Sequence, residues 1–136
     1  MFERNSIDTT PHELAGHFVL VVEDDYFIAE EICAALRKRG AAVIGPAPDV
    51  EHGRTLMDRQ PLDCAVLDVN LHGEHVFALA GELRARGVPS IFATGYDASF
   101  LPNAFRDAIY LQKPIDIAAL IRAVKMTSRS HSTRRN

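Results

Sequence analysis

Phe18-Val-Leu-Val-Val-Glu-Asp-Asp25 is a run of five apolar residues that breaks directly into three acids. The run does not alternate polar with apolar residues. As a strand it is therefore covered on both faces, the situation of a parallel sheet with helices on either side. Four further short runs have the same character: Ala41–Ile44, Cys64–Leu67, Ser90–Ala93 and Ile109–Leu111.

The intervening segments carry helical spacing. Ile28, Ile32 and Leu36 form one apolar stripe, closed by Gly40 as a C-terminal stop. A second helix is expected from the N-cap candidate Asp49 to just before Pro61. Leu79, Ala80 and Leu83 form a third stripe, ended by Gly87 and Pro89, and Ile117, Leu120, Ile121 and Val124 share a face behind the N-cap candidate Asp116. The segment Asp97–Phe105 is different. It is short and contains Pro102, which removes a backbone hydrogen bond from a helix interior, so an irregular segment is expected there. Five strand-then-helix units make a doubly wound α/β sheet.

The chain has 136 residues, room for one domain. Residues 1–16 read as a polar N-terminal extension, 17–126 as the folded domain and 127–136 as a basic disordered tail, with Arg129, Arg134 and Arg135 and no acid. No apolar run approaches the roughly 20 residues of a membrane span, and the first residues do not form a signal peptide. Cys33 and Cys64 lie among apolar neighbours and read as buried thiols, which fits a cytoplasmic location. The net charge of −3 offers nucleic acid no general attraction, and no helix-turn-helix segment follows the domain, so direct nucleic-acid binding is not expected.

Ligands of such sheets bind beyond the carboxyl ends of the strands. Glu23-Asp24-Asp25, Asp68 with Asn70, Thr94-Gly95 and Lys113-Pro114 follow the first, third, fourth and fifth runs. Carboxylates gathered at one rim repel one another unless something positive intervenes. Mg²⁺ takes oxygen ligands and binds through one or two carboxylates plus phosphate oxygens. Lys113 is one of three lysines against twelve arginines, and its position at a strand end marks it as a compact point charge. Each acid alone reads as an ordinary loop residue; the set at matching strand ends points to phosphate chemistry.

The four pieces in order, Phe18–Asp25, Val66-Leu-Asp-Val-Asn70, Phe92-Ala-Thr-Gly-Tyr96 and Leu111-Gln-Lys-Pro114, resemble the receiver domain of two-component response regulators. The phrase Phe-Ala-Thr-Gly-Tyr, with Asp-Val-Asn-Leu-x-Gly-Glu upstream, is similar to a bacterial subgroup nicknamed FAT GUY regulators. The resemblance implies a flavodoxin-like (βα)5 fold with strand order 2-1-3-4-5. By position, it implies that Asp68 accepts the phosphoryl group. Asp24 and Asp68 would hold Mg²⁺ with the Asn70 backbone carbonyl, and Glu23 would act through water or as a supporting carboxylate. Thr94 matches the switch hydroxyl, Lys113 the partner of acceptor and phosphate, Lys113-Pro114 a cis peptide and Tyr110 the switch aromatic. Asp25 falls one place beyond the usual acidic pair. A sensor histidine kinase or phosphotransfer protein is the implied donor and a downstream protein the implied target. The chain acts as a switch, relay or phosphate sink in this reading, not as an enzyme in the ordinary sense.

Two features depart from the family pattern: His72-Gly-Glu-His75 replaces the usual proline-containing loop, and Pro102 interrupts the fourth helix. Three rival readings fit the same residues less well. A haloacid-dehalogenase-like phosphohydrolase shares the ingredients, but no acidic pair follows Lys113. An interaction module that has lost phosphorylation is disfavoured by the intact acids, Thr94 and Lys113. A nucleotide-binding flavodoxin-like protein lacks a Gly-rich phosphate loop.

Overall fold

A computed structural model describes residues 12–71, 76–95 and 101–128. The 72–75 loop, Tyr96 and the segment 97–100, and residues 1–11 and 129–136 lie outside the described residues. Five parallel strands run in the order β2-β1-β3-β4-β5. They are β1 (Phe18–Val22), β2 (Ala42–Ala47), β3 (Cys64–Asp68), β4 (Ser90–Thr94) and β5 (Ile109–Gln112). Four helices flank them: α1 (Tyr26–Lys38), α2 (Val50–Met57), α3 (Val76–Ala85) and α4 (Ile117–Thr127). The expected doubly wound topology is the observed one.

Strand pleating divides the core into two layers. Leu20 and Val22 of β1 point into a cluster with Val50 and Met57 of α2, Leu79 and Leu83 of α3, and Phe92. Val19 and Val21, one step out of phase, enter a second cluster with Ile32, Cys33 and Leu36 of α1 and Leu120, Ile121 and Val124 of α4. Side chains alternate between faces along a strand, so an unbroken apolar run is what two covered faces require. Each fully buried Leu, Val or Phe contributes roughly 1.5–3 kcal/mol relative to exposure. Both cysteines are buried free thiols.

The helix caps follow the sequence signals. Asp49 accepts from His52 N at 2.8 Å, and Asp116 accepts from Ala118 N at 3.0 Å. Between β4 and β5 the described chain forms a single 3₁₀ turn, Asn103–Phe105, with Pro102 at its start where no helical amide is needed. Phe105 anchors that turn against Phe77 and Phe92, ring centroids 5.8 and 5.4 Å away, beneath the Arg84 guanidinium.

Two boundaries differ from the sequence expectation. The packed part of the chain begins before Phe18: Leu14 is fully buried in the α1/α4 layer, and Glu13 pairs with Arg39 and Lys125. The polar neighbours of Leu14 hide this single apolar plug from a periodicity reading. Strand β2 also runs past Ile44, through Gly45 and Pro46, to Ala47. A proline is admissible there because β2 is an edge strand, where a missing amide need not break a ladder.

Candidate functional site

The site is built where β1, β3 and β5 end. At the end of β1 the chain must turn away from the sheet while keeping Glu23 and Asp24 at its rim. The register between β1 and β2 slips from Leu20 opposite Ile44 to Val22 opposite Ala47. Gly45 makes the slip with φ of +115°, and a Cβ there would meet Val21 O at 2.8 Å and Ala47 N at 2.9 Å. Glycine is the residue that tolerates this conformation and this approach. The slip brings Ala47 O to 2.9 Å from Glu23 N and pins the backbone at the first acid.

The third acid has a different task. Asp25 is the N-cap of α1, and its Oδ1 accepts from Phe27 N and Ile28 N at 3.0 Å each. A carboxylate there satisfies amides that begin a helix without an intrahelical partner.

Asp68 ends β3 and is 1% exposed. Its Oδ1 accepts from Asn70 N at 3.1 Å and from Lys113 Nζ at 3.0 Å. Lys113 follows β5, and its amide donates to Thr94 O at 2.8 Å, which ties the β5 end to the β4 end. Its ammonium also lies 3.1 Å from Glu23 Oε1 and 3.3 Å from Oε2. One carboxylate oxygen each from Glu23, Asp24 and Asp68 falls within 4.8 Å of the others. Two unit negative charges at that separation repel by roughly 3 kcal/mol at an effective dielectric constant of 20.

That crowding shows in the proton affinities. Burial, and then the charge of Asp68, push the Glu23 carboxyl up to about 7, against the Asp25 amide and Lys113, which favour its ionised form. For Lys113, burial disfavours the ammonium, but hydrogen bonds to Asp68 and Glu23 outweigh it and hold the group above its ordinary value.

An open cleft of about 760 Å³ sits over these groups, lined by Glu23, Asp24, Asp68, Asn70, Gly95 and Lys113 and by the first turn of α1. Asp68 Oδ2 is buried and has no hydrogen-bond partner among the described residues. A buried carboxylate oxygen is costly to leave unpaired, and one ammonium does not balance three carboxylates. Hard oxygen donors with a shortage of positive charge are the donor set that suits Mg²⁺. The residues present fit that ion.

Glu23, Asp24, Asp68, Asn70 and Lys113 thus come together as the sequence reading expected. Thr94 is buried at the end of β4, where the cleft wall is Gly95. Tyr110 is 37% exposed on the edge strand β5, paired in register with Phe92, and is not among the described lining residues. The Lys113–Pro114 peptide is cis. Sequence reasoning missed the Gly45–Ala47 device, whose only signal was a Gly-Pro pair after an apolar run. It also missed the exposed Tyr26 and Phe27 beside the acids.

Residues 19–125 match the response regulator receiver domain family. The transcriptional regulatory protein PdtaR of Mycobacterium tuberculosis is 28% identical over 112 residues, covering 79% of this chain and 55% of that protein. The sensory transduction protein LytT of Bacillus subtilis is 35% identical over 103 residues, covering 72% of this chain and 42% of that protein. The chain spans about half the length of these relatives. Among solved structures, the BeF₃-activated conformation of SdrG from Pseudomonas melonis is 31% identical with a TM-score of 0.70, over 82% of this chain and 95% of that one. The chain belongs to the response regulator receiver domain family, a signalling domain of two-component systems. The phosphohydrolase and nucleotide-binding readings fall with that membership.

Proposed function

We propose that this receiver accepts a phosphoryl group on Asp68, in a Mg²⁺-dependent step, from a phosphohistidine of a sensor histidine kinase or phosphotransfer protein. The observation that carries the reading is the buried Asp68 carboxylate, with one oxygen on Lys113 and Asn70 and the other without a hydrogen-bond partner among the described residues, at a cleft crowded with acids. An Asp68 oxygen attacks phosphorus, the bond from phosphorus to the histidine nitrogen breaks, and the ring, protonated beforehand at its other nitrogen, departs as neutral imidazole. Phosphoryl transfer through a loose transition state asks mainly for alignment and charge neutralisation. Lys113 is placed to meet the spreading negative charge. Asp24, Asp68 and the Asn70 backbone carbonyl would hold the ion, with Glu23 supporting them directly or through water. When bound, Mg²⁺ supplies positive charge to the phosphoryl oxygens.

Thr94 would then bond the phosphoryl group and repack the neighbouring segment, with Tyr110 as the aromatic partner of that switch. Water attack on the acyl phosphate resets the state. The chain would serve in the cytoplasm as a switch, relay or phosphate sink that signals to a downstream protein. No described helix is long and apolar enough to cross a membrane.

The test is incubation with acetyl phosphate and Mg²⁺ followed by intact-mass measurement. One added phosphoryl group is expected, absent in Asp68→Asn and formed far more slowly in Asp24→Ala. A folded wild-type protein that gains no mass with Mg²⁺ present would favour an interaction module without phosphorylation.

A further inference from the structure

Tyr26 and Phe27 open helix α1 with 70% and 80% of their surfaces exposed, the two largest exposures among the described aromatic side chains. They are held at the cleft. Asp25 caps the turn through Phe27 N and Ile28 N, and the two rings meet edge to face with centroids 5.5 Å apart and planes at 81°. Both line the same cleft as Asp24, Asp68 and Lys113. Neither ring belongs to either core cluster, so the fold itself does not account for two large apolar faces in water at this place.

Resting on the proposed phosphoacceptor role, we infer that Tyr26 and Phe27 form an aromatic rim that receives the planar leaving group of the phosphodonor. The rim makes the site selective for N-phosphoimidazole donors over acyl phosphates. An imidazole ring offers an aromatic partner a face and an edge, and when protonated it also offers a cation to a π face. An acetyl group offers neither. The reaction is unchanged in its balance: phosphorus leaves the ring nitrogen of a protonated N-phosphoimidazole for an Asp68 oxygen, and neutral imidazole departs. The rim acts on the ring, and Asp68 and Lys113 act on the phosphoryl group.

The experiment compares initial rates of phosphorylation by monophosphoimidazole and by acetyl phosphate at one Mg²⁺ concentration, read by intact mass. The imidazole-to-acetyl rate ratio of the wild type should fall about tenfold in the Tyr26→Ser/Phe27→Ser double variant. Tyr26→Phe should keep the wild-type ratio. Both side chains are exposed, so the variants are expected to fold, and circular dichroism checks this. An unchanged ratio in the double variant overturns the inference. An equal loss with both donors also overturns it, because the residues would then serve the site as a whole. A wild type phosphorylated by neither donor defeats the phosphoacceptor reading itself.

Discussion

Strand β3 carries a buried aspartate at each end, and the two are equally hidden: Asp63 just before the strand and Asp68 at its last residue are each 1% exposed. Asp63 Oδ2 accepts from Phe18 N at 2.7 Å and so ties β3 to the start of β1. Asp68 instead shares Lys113 with Glu23, within a group of three carboxylates that includes Asp24. The two aspartates lie roughly 17 Å apart at about 3.3 Å per residue. Burial alone therefore marks neither acid as functional. The two differ in their company: Asp63 binds a backbone amide, whereas Asp68 sits among like charges with one ammonium beside it.

The sharpest way to break this contrast is to remove each acid in turn. Asp68→Asn should abolish phosphorylation by acetyl phosphate while the melting temperature stays at or above that of the wild type. Lys113 keeps Glu23 as a partner, and one carboxylate of the repelling set is gone. Asp63→Ala should do the reverse. It leaves the Phe18 amide without its acceptor at a cost of about 1–3 kcal/mol, yet the protein should still gain a phosphoryl group at a near wild-type rate. If Asp63→Ala lost phosphorylation with its fold intact, the division between the two ends would fail.

Lys113→Met tests the shortage of positive charge. Two buried carboxylates lose their fixed cation, so metal-free stability measured by urea denaturation should drop by about 2 kcal/mol, discounted from the fully buried case because the lysine is partly exposed. Phosphorylation should slow by at least a hundredfold, and added Mg²⁺ should recover part of the stability.

The fold was legible because its signal is redundant. Five short apolar runs, four of them followed by polar strand ends, leave few arrangements other than a parallel sheet covered on both faces. The acids and Lys113 were legible for the same reason, since strand ends converge whatever the loops do. Gly45 was not, because its meaning depends on a neighbouring strand: only the register slip against Leu20–Val22 shows that a Cβ would strike Val21 O. Leu14 was obscured by polar neighbours, and Tyr26 and Phe27 could not be told from core aromatics by helical phase. The part played by Asp25 was visible only as an acid too many for the motif, until its two bonds to the α1 amides supplied the reason.

Gly45→Ala probes that less legible layer. Forcing a side chain into the +115° conformation against two backbone atoms should cost about 1–3 kcal/mol by thermal melting. Because Ala47 O holds Glu23 N, Mg²⁺ affinity measured by calorimetry should weaken as well. A loss of stability with unaltered Mg²⁺ affinity would separate the β2 slip from the site.

The effect spread over the widest range of conditions is a dependence on pH. Glu23 is raised from 4.5 to about 7 in the folded protein, chiefly by burial and then by Asp68. A native value above the unfolded one means that the folded state binds this proton more tightly. Its contribution to stability is therefore fully present below about 4.5 and is lost as pH rises through about 7. Metal-free wild type should lose melting temperature across that window, and Glu23→Gln should lose less. Equal slopes would mean that Glu23 is not the titrating group.

The most direct measurement of convergence at one rim is a crystal structure grown with Mg²⁺ and beryllium fluoride. The fluoroberyllate should sit on Asp68, in contact with Lys113, and the ion should lie between Asp24, Asp68 and the Asn70 carbonyl. A structure in which Asp68 stays unmodified, or in which the metal binds away from Asp24 and Asp68, would contradict the account.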